Sequence, residues 1–365
     1  MYISILILFL LVIAAIAILK HPKFGRQATG ERLAAIKESL HFKEGAFQNE
    51  SDTPALSEGA SYWVVAKEAF FGKPATVRPM GKIPSIKTDL LQLDIKEDVL
   101  IWFGHSSYFI QINQKRILVD PVFCGHASPF AFSIKAFNGA DIYTPDDIPD
   151  IDYLFITHDH WDHLDYDTVK KLKPRIKQVI CGLGTGAHLE YWGFDVKHII
   201  EKDWNETIHL TDGFTVHTIP GRHFSGRMFK RNQSVWTSFV VQTPTLQLFL
   251  GGDSGYDSHF AKAGEKFGPF DLAILENGQY NKFWKYIHMM PEEVLQATVD
   301  LKAKRLLTVH HAKFALANHS WDEPLSRITA LNKNNQIPLI TPMIGEKVNL
   351  KDRTQKFSEW WKEIS

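Results

Sequence analysis

Cysteine is scarce in this chain, and neither sign of charge is in excess. The 365 residues include only two cysteines, Cys124 and Cys181, which cannot build a disulfide framework. Cys181 ends an apolar run, so we expect a buried, inert thiol there. The 41 basic side chains balance the 41 acidic ones, which leaves no electrostatic footprint for nucleic acid. With 44% apolar residues, the chain can bury the core of a single enzyme domain with an appendage.

Histidine and aspartate are concentrated in residues 158–163, HDHWDH, directly after the apolar segment 151–156. In an extended turn His158 and His160 project the same way and can reach one cation, while Asp162 and His163 can face a second one. The absence of cysteine from the run argues against a closed structural zinc site and favours an open, hydrolytic one. The alternative interpretation is a polar surface loop that binds nothing. The density of potential ligands directly after a strand argues against this interpretation.

Three later apolar segments each end at a further ligand residue. The predicted strands 214–220, 246–250 and 305–309 are followed by His223, Asp253, and the pair His310 and His311. Rigid scaffolds hold reacting groups where buried strands emerge into loops. Each residue alone is weak evidence for a site, because strand-end residues of this kind are often caps or turn residues. Their order after the four-ligand run favours one shared site.

This pattern resembles the metallo-β-lactamase superfamily, whose HxHxDH motif is matched by residues 158–163 and whose later single ligands are matched in the same order. The resemblance implies an α/β fold, an αββα sandwich, here with an N-terminal hydrophobic helix. It also implies two divalent metal ions, with zinc expected and iron or manganese as alternatives. The implied ligands are His158, His160 and His223 for one ion, Asp162, His163 and His310 for the other, and Asp253 as the bridge.

Within the superfamily, the stretches 102–107, 119–123 and 310–318 resemble the branch of N-acyl-phosphatidylethanolamine-hydrolysing phospholipase D, and ascorbate-6-phosphate lactonases share only part of this likeness. The segment 286–293 fits the branch pattern Tyr-x-His-x-x-Pro-Glu-Glu, which implies that His288 is a substrate-pocket residue. We therefore expect Asp162, Asp253 and His288 to be catalytic. The chain departs from the branch at HHAKF, residues 310–314, where His311 competes with His310 as a ligand.

The predicted reaction is hydrolysis by a hydroxide held between two cations, which needs no serine or cysteine nucleophile. The substrate expected from the resemblance is N-acyl-phosphatidylethanolamine or a related phospholipid, cleaved to phosphatidic acid and an N-acylethanolamine. The alternative is a hydrolase of a soluble phosphate ester or lactone, which a pocket poor in apolar lining would favour. A scaffold without turnover is a third interpretation, and the complete set of seven ligands argues against it.

Three other residues near the predicted site have two interpretations each. Asp120 ends a predicted strand and either supports a ligating histidine or forms a turn before Pro121. Arg222 and Arg227 flank His223 and either grip a phosphate through paired donors or are solvated.

The N-terminus predicts a membrane anchor. Residues 2–19 are apolar except for Ser4, and as a helix they would be about 27 Å long. No basic residue precedes the run, as would be usual for a cleaved signal peptide, whereas Lys20, Lys23 and Arg26 follow it. The expected localisation is a single pass by residues 1–20 with the catalytic domain in the cytoplasm.

The remaining organisation follows from composition. Residues 21–90, the N-terminal extension, are expected to be a linker packed on the core. Residues 91–350 are the predicted catalytic domain, and residues 351–365 a C-terminal helix. The loop 128–137 carries three phenylalanines and is predicted either to contact lipid or to cover the core. The expected partners are a phospholipid or other phosphodiester and a membrane, without nucleic acid, and with a homodimer left open.

Overall fold

The N-terminal part of the chain is mostly helical. The computed structural model describes residues 2–227 and 230–364. Its first elements are α1 (Tyr2–Leu19), α2 (Gly30–Glu38), β1 (Phe42–Lys43), β2 (Ala46–Phe47) and α3 (Tyr62–Phe71). Helix α3 begins at Ser61, whose side chain accepts a hydrogen bond from Val64 N–H. It replaces part of the linker predicted for this region, because an apolar run, Tyr62–Phe71, lies between the Gly and Pro residues that suggested a linker.

The anchor prediction is not supported. Across residues 2–227 and 230–364, no helix is long and apolar enough to cross a membrane. The cytoplasmic placement rested on a spanning helix and loses that basis.

Two seven-stranded sheets form the body of the molecule. The first sheet contains β3 (Val99–Trp102), β4 (Tyr108–Ile112), β5 (Lys115–Val119), β6 (Ile151–Ile156), β7 (Ile176–Gly182) and β8 (Ile199–Lys202), side by side in that order. The second contains β9 (Thr207–His209), β10 (Thr215–Pro220), β11 (Thr237–Gln242), β12 (Gln247–Leu250), β13 (Leu272–Glu276), β14 (Leu306–Val309) and β15 (Leu339–Ile340). Strand β16 (Lys347–Asn349) returns to the first sheet and pairs with β3.

Both sheets change from antiparallel to parallel pairing along their width. Strands β3 to β5 are antiparallel, and β5 to β8 are parallel. Strands β9 to β12 are antiparallel, and β12 to β15 are parallel. Because parallel strands end at the same edge of a sheet, the loops after β5, β6, β12, β13 and β14 can bring their residues together.

Helices cover the outer faces of the sheets. They are α4 (Tyr166–Leu172) and α5 (Gly186–Tyr191) on the first sheet, and α6 (His259–Lys266), α7 (Pro291–Asp300) and α8 (Glu323–Asn335) on the second. The main core lies between the sheets, where Phe155 and Phe239 meet with ring centroids 5.0 Å apart. The layers are therefore αββα, as the resemblance implied.

Local sequence signals were reliable where the turn chemistry was clear. Asn113 and Gln114 connect β4 and β5 as a two-residue turn, and both have a positive φ, 47° and 62°, as this hairpin type requires. At the C-terminus, residues 351–364 contain a single 3₁₀ turn at Trp360–Glu363 instead of the predicted helix. Trp360 and Trp361 are buried in the main core, so hydrophobic packing fixes this segment.

Candidate metal centre

The HDHWDH run begins directly after β6 and is held there by Asp120. The Asp120 carboxylate accepts hydrogen bonds from Thr157 N–H at 2.9 Å and from the Thr157 hydroxyl at 2.6 Å. The run then turns, and His163 N–H donates to the His160 carbonyl. The imidazoles therefore converge on the edge of the first sheet.

His158, His160 and His223 form one group of potential ligands, which we call the loop-side group. His158 Nε2 lies 2.9 Å from His160 Nδ1, and His223 Nε2 lies 3.3 Å from the same atom. His223 Nδ1 is 2.9 Å from the carbonyl oxygen of Ile287, to which it donates as N–H. That bond leaves Nε2 as the atom able to bind a metal.

Asp162, His163 and His310 form a second group, the core-side group, together with His105. Asp162 Oδ2 is 3.5 Å from His163 Nε2 and 3.6 Å from His310 Nε2. His105 Nε2 donates to Asp162 Oδ2 at 2.9 Å. His163 Nδ1 donates to Asp120 Oδ2 at 2.8 Å, which agrees with the supporting role predicted for Asp120.

Asp253 lies between the two groups. Its Oδ2 is 3.2 Å from His163 Nε2, 3.8 Å from His223 Nε2 and 3.9 Å from His158 Nε2. Its Oδ1 is 2.7 Å from His310 Nδ1. The structure thus brings all seven residues predicted as ligands into one cluster, with Asp253 between the two groups.

The donor atoms of this cluster fit divalent cations. Among the described residues, Asp253 Oδ1, His163 Nε2 and both ring nitrogens of His310 are buried and make no hydrogen bond of good geometry, although Asp253 Oδ1 and His310 Nδ1 lie 2.7 Å apart. An unsatisfied buried polar atom costs about 1–3 kcal/mol, and here several converge on the same small space. Imidazole nitrogens and carboxylate oxygens are the ligands of zinc, iron and manganese. The residues therefore fit the group that the resemblance implied.

Electrostatics favour the ligand forms of His158, His223 and Asp253. For His163, burial alone would lower the pKa, but Asp253 and Asp162 raise it well above the usual range. Burial lowers the pKa of His158 and His223 well below the usual range, which keeps their imidazoles neutral, as metal binding requires. Burial alone would raise the pKa of Asp253, but His163 and His310 lower it well below the usual range. The carboxylate is therefore ionised.

The backbone is strained at several positions around the cluster. His105, Asp120 and His310 all have a positive φ, at 52°, 41° and 69°, a region that side-chain-bearing residues rarely adopt. The strain at His105 is balanced by hydrogen bonds to its carbonyl from Trp102 Nε1 and His310 N–H. Such conformations persist where surrounding bonds determine them, and they often mark functional sites.

His310 and His311 have different environments. His311 Nε2 is 3.2 Å from the carbonyl oxygen of Thr308, and its ring packs on Trp102. Among the described residues, His311 belongs to no group of potential ligands, whereas His310 belongs to two. The competition expected between the two histidines is therefore absent from this geometry.

Glu276 is a functional residue that the sequence analysis missed. It ends β13, and its buried Oε1 accepts hydrogen bonds from Ser254 N–H and Met289 N–H. Its Oε2 is 2.6 Å from His288 Nδ1. Burial alone would lower the pKa of His288, but Glu276 raises it to about 9. The signal that would have found Glu276 is the one used for Asp253: an apolar strand ending at a carboxylate.

A cavity of about 450 Å³ opens beside the cluster. His160, Asp162, Asp253, His288 and His310 form its polar floor. Its apolar wall includes Leu56, Tyr62, Phe224, Trp284, Ile287 and Leu316. Two of these, Leu56 and Tyr62, come from the N-terminal extension, so this segment forms part of the site.

Arg222 and Arg227, for which a phosphate grip and a solvated side chain were the two predictions, both lie outside the cavity lining. Arg227 is buried, and its guanidinium donates to the carbonyls of Asp159, Leu164 and Lys23. The cavity is instead lined by Arg231, whose guanidinium lies over the Phe224 ring at 4.9 Å.

Comparison with known proteins identifies the family. A family model described as the beta-lactamase superfamily domain matches residues 115–311, which include every predicted ligand. A protein of Mycobacterium tuberculosis described as uncharacterized is 32% identical over 343 residues, which cover 90% of this chain and 89% of the relative. N-acyl-phosphatidylethanolamine-hydrolyzing phospholipase D 1 of Caenorhabditis elegans is 29% identical over 248 residues, 63% of this chain and 68% of the relative.

A solved structure shows the same fold. Igni18, a metallo hydrolase from the archaeon Ignicoccus hospitalis, superposes with a TM-score of 0.55 at 20% identity, over 69% of this chain and 98% of Igni18. The fold, the order of the ligand residues and the family match therefore agree: the chain belongs to the metallo-β-lactamase superfamily and resembles its branch of N-acyl-phosphatidylethanolamine-hydrolysing phospholipase D.

Proposed function

We propose that this chain is a dinuclear metallohydrolase that cleaves a phosphodiester bond of N-acyl-phosphatidylethanolamine or a related phospholipid. The proposal rests on one observation: the seven-residue cluster lines a cavity that has an apolar wall. A soluble phosphate ester or lactone would need little apolar lining, whereas an acyl chain buries best against such side chains. The likeness to the phospholipase of C. elegans supports the same substrate class.

The proposed ligands are His158, His160 and His223 for one ion, and Asp162, His163 and His310 for the other. When bound, the two cations supply Lewis acidity, which lowers the pKa of water and neutralises charge on a phosphoryl oxygen. Zinc is the expected metal, and iron and manganese accept the same ligands.

The protein's own side chains orient the reaction. Asp253 is within 4 Å of both groups and is proposed to accept a hydrogen bond from the attacking water. His288 donates its Nδ1–H to Glu276, which leaves Nε2 free to contact the substrate at the cavity wall. Arg231 is the arginine that lines the cavity among the described residues, and it is proposed to pair with the phosphate. The products would be phosphatidic acid and an N-acylethanolamine.

The test uses vesicles that contain N-acyl-phosphatidylethanolamine and protein of measured metal content. We expect turnover by the wild-type chain, and a loss of at least about 100-fold in Asp253→Ala and His160→Ala, because each removes a ligand or water-orienting group. His217→Ala is the matched control. This histidine of β10 bonds Thr207 of β9 and Gln242 of β11, away from the cluster. A metal-loaded chain that is inert on vesicles but hydrolyses soluble phosphodiesters or lactones would transfer the proposal to the alternative function.

Membrane association is proposed to occur through an exposed apolar surface rather than a spanning helix. Phe130 and Phe132 stack with centroids 5.6 Å apart, and Phe132 is 78% exposed. Lys23, four residues after α1, donates to the Pro129 carbonyl and lies 5.6 Å from the Phe130 ring. Two phenylalanines beside a lysine are suited to the boundary between headgroups and acyl chains.

Replacing both rings tests this surface. Phe130→Ser with Phe132→Ser should weaken sedimentation with anionic vesicles by at least about tenfold, since burying one such side chain contributes roughly 1.5–3 kcal/mol. Leu40→Ser is the control, because Leu40 is an exposed apolar residue of the N-terminal extension. Equal vesicle binding by the double variant and the wild-type chain would exclude the surface.

A further inference from the structure

Asn49 connects the N-terminal extension to the main chain of a proposed metal ligand. Its Nδ2 donates to the His223 carbonyl at 2.9 Å, and His223 N–H donates back to Asn49 Oδ1 at 3.1 Å. One amide side chain thus satisfies both main-chain groups of His223. Asn49 lies outside residues 115–311, the part of the chain that matches the family model.

These two bonds complete the fixation of the His223 ring. The ring is already oriented by its Nδ1–H bond to the Ile287 carbonyl at 2.9 Å. A hydrogen bond to the ring fixes its rotation, but the position of the ring follows the main chain. When the rotation of the ring and its main chain are both fixed, Nε2 stays 3.3 Å from His160 Nδ1. Metal coordination tolerates only small departures from such a position.

Asn49 is itself rigidly held. Trp236 Nε1 donates to Asn49 Oδ1 at 3.0 Å. Trp236 belongs to a buried cluster with Ile36 and Phe47, which come from the N-terminal extension, and Trp204 and Val235, which come from the catalytic domain. Hydrophobic packing therefore anchors the segment that presents Asn49, two residues after Phe47.

We propose that Asn49 is a positioning residue for the ion held by the loop-side group, so that the N-terminal extension determines the occupancy of that one ion. This inference rests on the ligand assignment under Proposed function, but not on the substrate. The core-side group has other supports, Asp120 and His105, which are both residues of the first sheet and its loops. Loss of Asn49 therefore weakens one ion selectively. Replacing a residue that orients a ligand typically lowers metal affinity by 10–100-fold.

The experiment counts ions in the zinc-loaded full chain by native mass spectrometry while a chelator is added in steps. We expect Asn49→Ala to lose its first ion at a chelator concentration at least about tenfold lower than the wild-type chain does. The second ion should be lost at the same chelator concentration in both proteins. Two reference variants identify which ion is lost: His223→Ala lacks a loop-side ligand, and His310→Ala lacks a core-side ligand. With cobalt in place of zinc, the absorption spectrum of half-loaded Asn49→Ala should match that of His223→Ala.

Two further variants complete the design. Gln48→Ala is the matched control, because this neighbouring side chain donates to the Lys43 carbonyl and not to His223. Asn49→Leu preserves the volume of the side chain without its hydrogen bonds and replaces Asn49→Ala if the smaller residue prevents folding.

The outcomes separate this inference from the proposed function. Equal weakening of both ions, or ion binding like that of Gln48→Ala, would overturn the role of Asn49 alone. A wild-type chain that binds no pair of ions would overturn the ligand assignment, and this inference with it. Inactivity on phospholipid vesicles leaves the ion count readable.

Discussion

The two halves of the candidate metal centre are supported by different parts of the molecule. On the core side, His163 is held by Asp120 at the end of β5, and Asp162 by His105 in the loop between β3 and β4. On the loop side, His223 is held by Asn49 and by the Ile287 carbonyl. The core-side supports are therefore residues of the first sheet and its loops, whereas the loop-side ligand His223 also depends on Asn49 of the N-terminal extension. This difference predicts that the two ions respond to different mutations.

Replacing Asp120 should have the largest effect. Asp120→Ala leaves the Thr157 N–H and the His163 ring N–H without their buried acceptor, which costs about 1–3 kcal/mol for each group. We also expect the core-side ion to bind about 10–100-fold more weakly. Chelator titration with ion counting and thermal unfolding together measure both effects.

The matched control for this prediction is Asp152→Ala. Asp152 is a carboxylate of the neighbouring strand β6 that accepts hydrogen bonds from Arg116 N–H and Lys177 Nζ, away from the cluster. Preferential loss of the loop-side ion in Asp120→Ala would contradict the division of the centre into two halves.

A smaller effect is expected from Trp236→Phe, which sharpens the comparison from the loop side. The substitution preserves most of the buried ring but removes the indole N–H, which donates to both Asn49 Oδ1 and the Gly221 carbonyl. A hydrogen bond of this kind contributes about 0.5–1.5 kcal/mol, so the loop-side ion should bind roughly two- to tenfold more weakly. Ion counting during chelation is again the measurement.

Trp204→Phe provides the comparison for Trp236→Phe. Trp204 belongs to the same buried cluster, and its indole donates to the Trp236 carbonyl at 2.7 Å. It makes no bond to Asn49, so an equal loss of loop-side affinity in both variants would show that packing, rather than the bond to Asn49, matters.

The sequence predicted the centre better than its supports. Ligands such as Asp253 were predictable because an apolar strand followed by a polar residue is a local pattern. Glu276 follows the same pattern and was missed only because β13 was not read as a strand. Asn49 could not be found in this way, since its bonds to His223 span 174 positions in the chain and a single asparagine in a turn cluster is typical of many loops.

The errors in the fold have a similar cause. The αββα layers followed from the resemblance, and the turn at Asn113 and Gln114 from local chemistry. The helix predicted for residues 351–365 was wrong because burial of Trp360 and Trp361 in the main core, which is a tertiary effect, outweighs local helix propensity. Helix α3 was missed because the polar residues around it suggested a linker.

The smallest effect is expected at His311, where the sequence left two candidates for one ligand. The two rings face different neighbours: His311 contacts Trp102 and the Thr308 carbonyl, whereas His310 lies within the cluster. His311→Phe should retain both ions and lower stability by about 1 kcal/mol, because the ring keeps its contact with Trp102 but loses its bond to the Thr308 carbonyl. His310→Phe is the paired variant and should lose the core-side ion. If His311→Phe lost that ion instead, the assignment of the core-side group would have to include His311, and the strained backbone at His310, with its φ of 69°, would need another explanation.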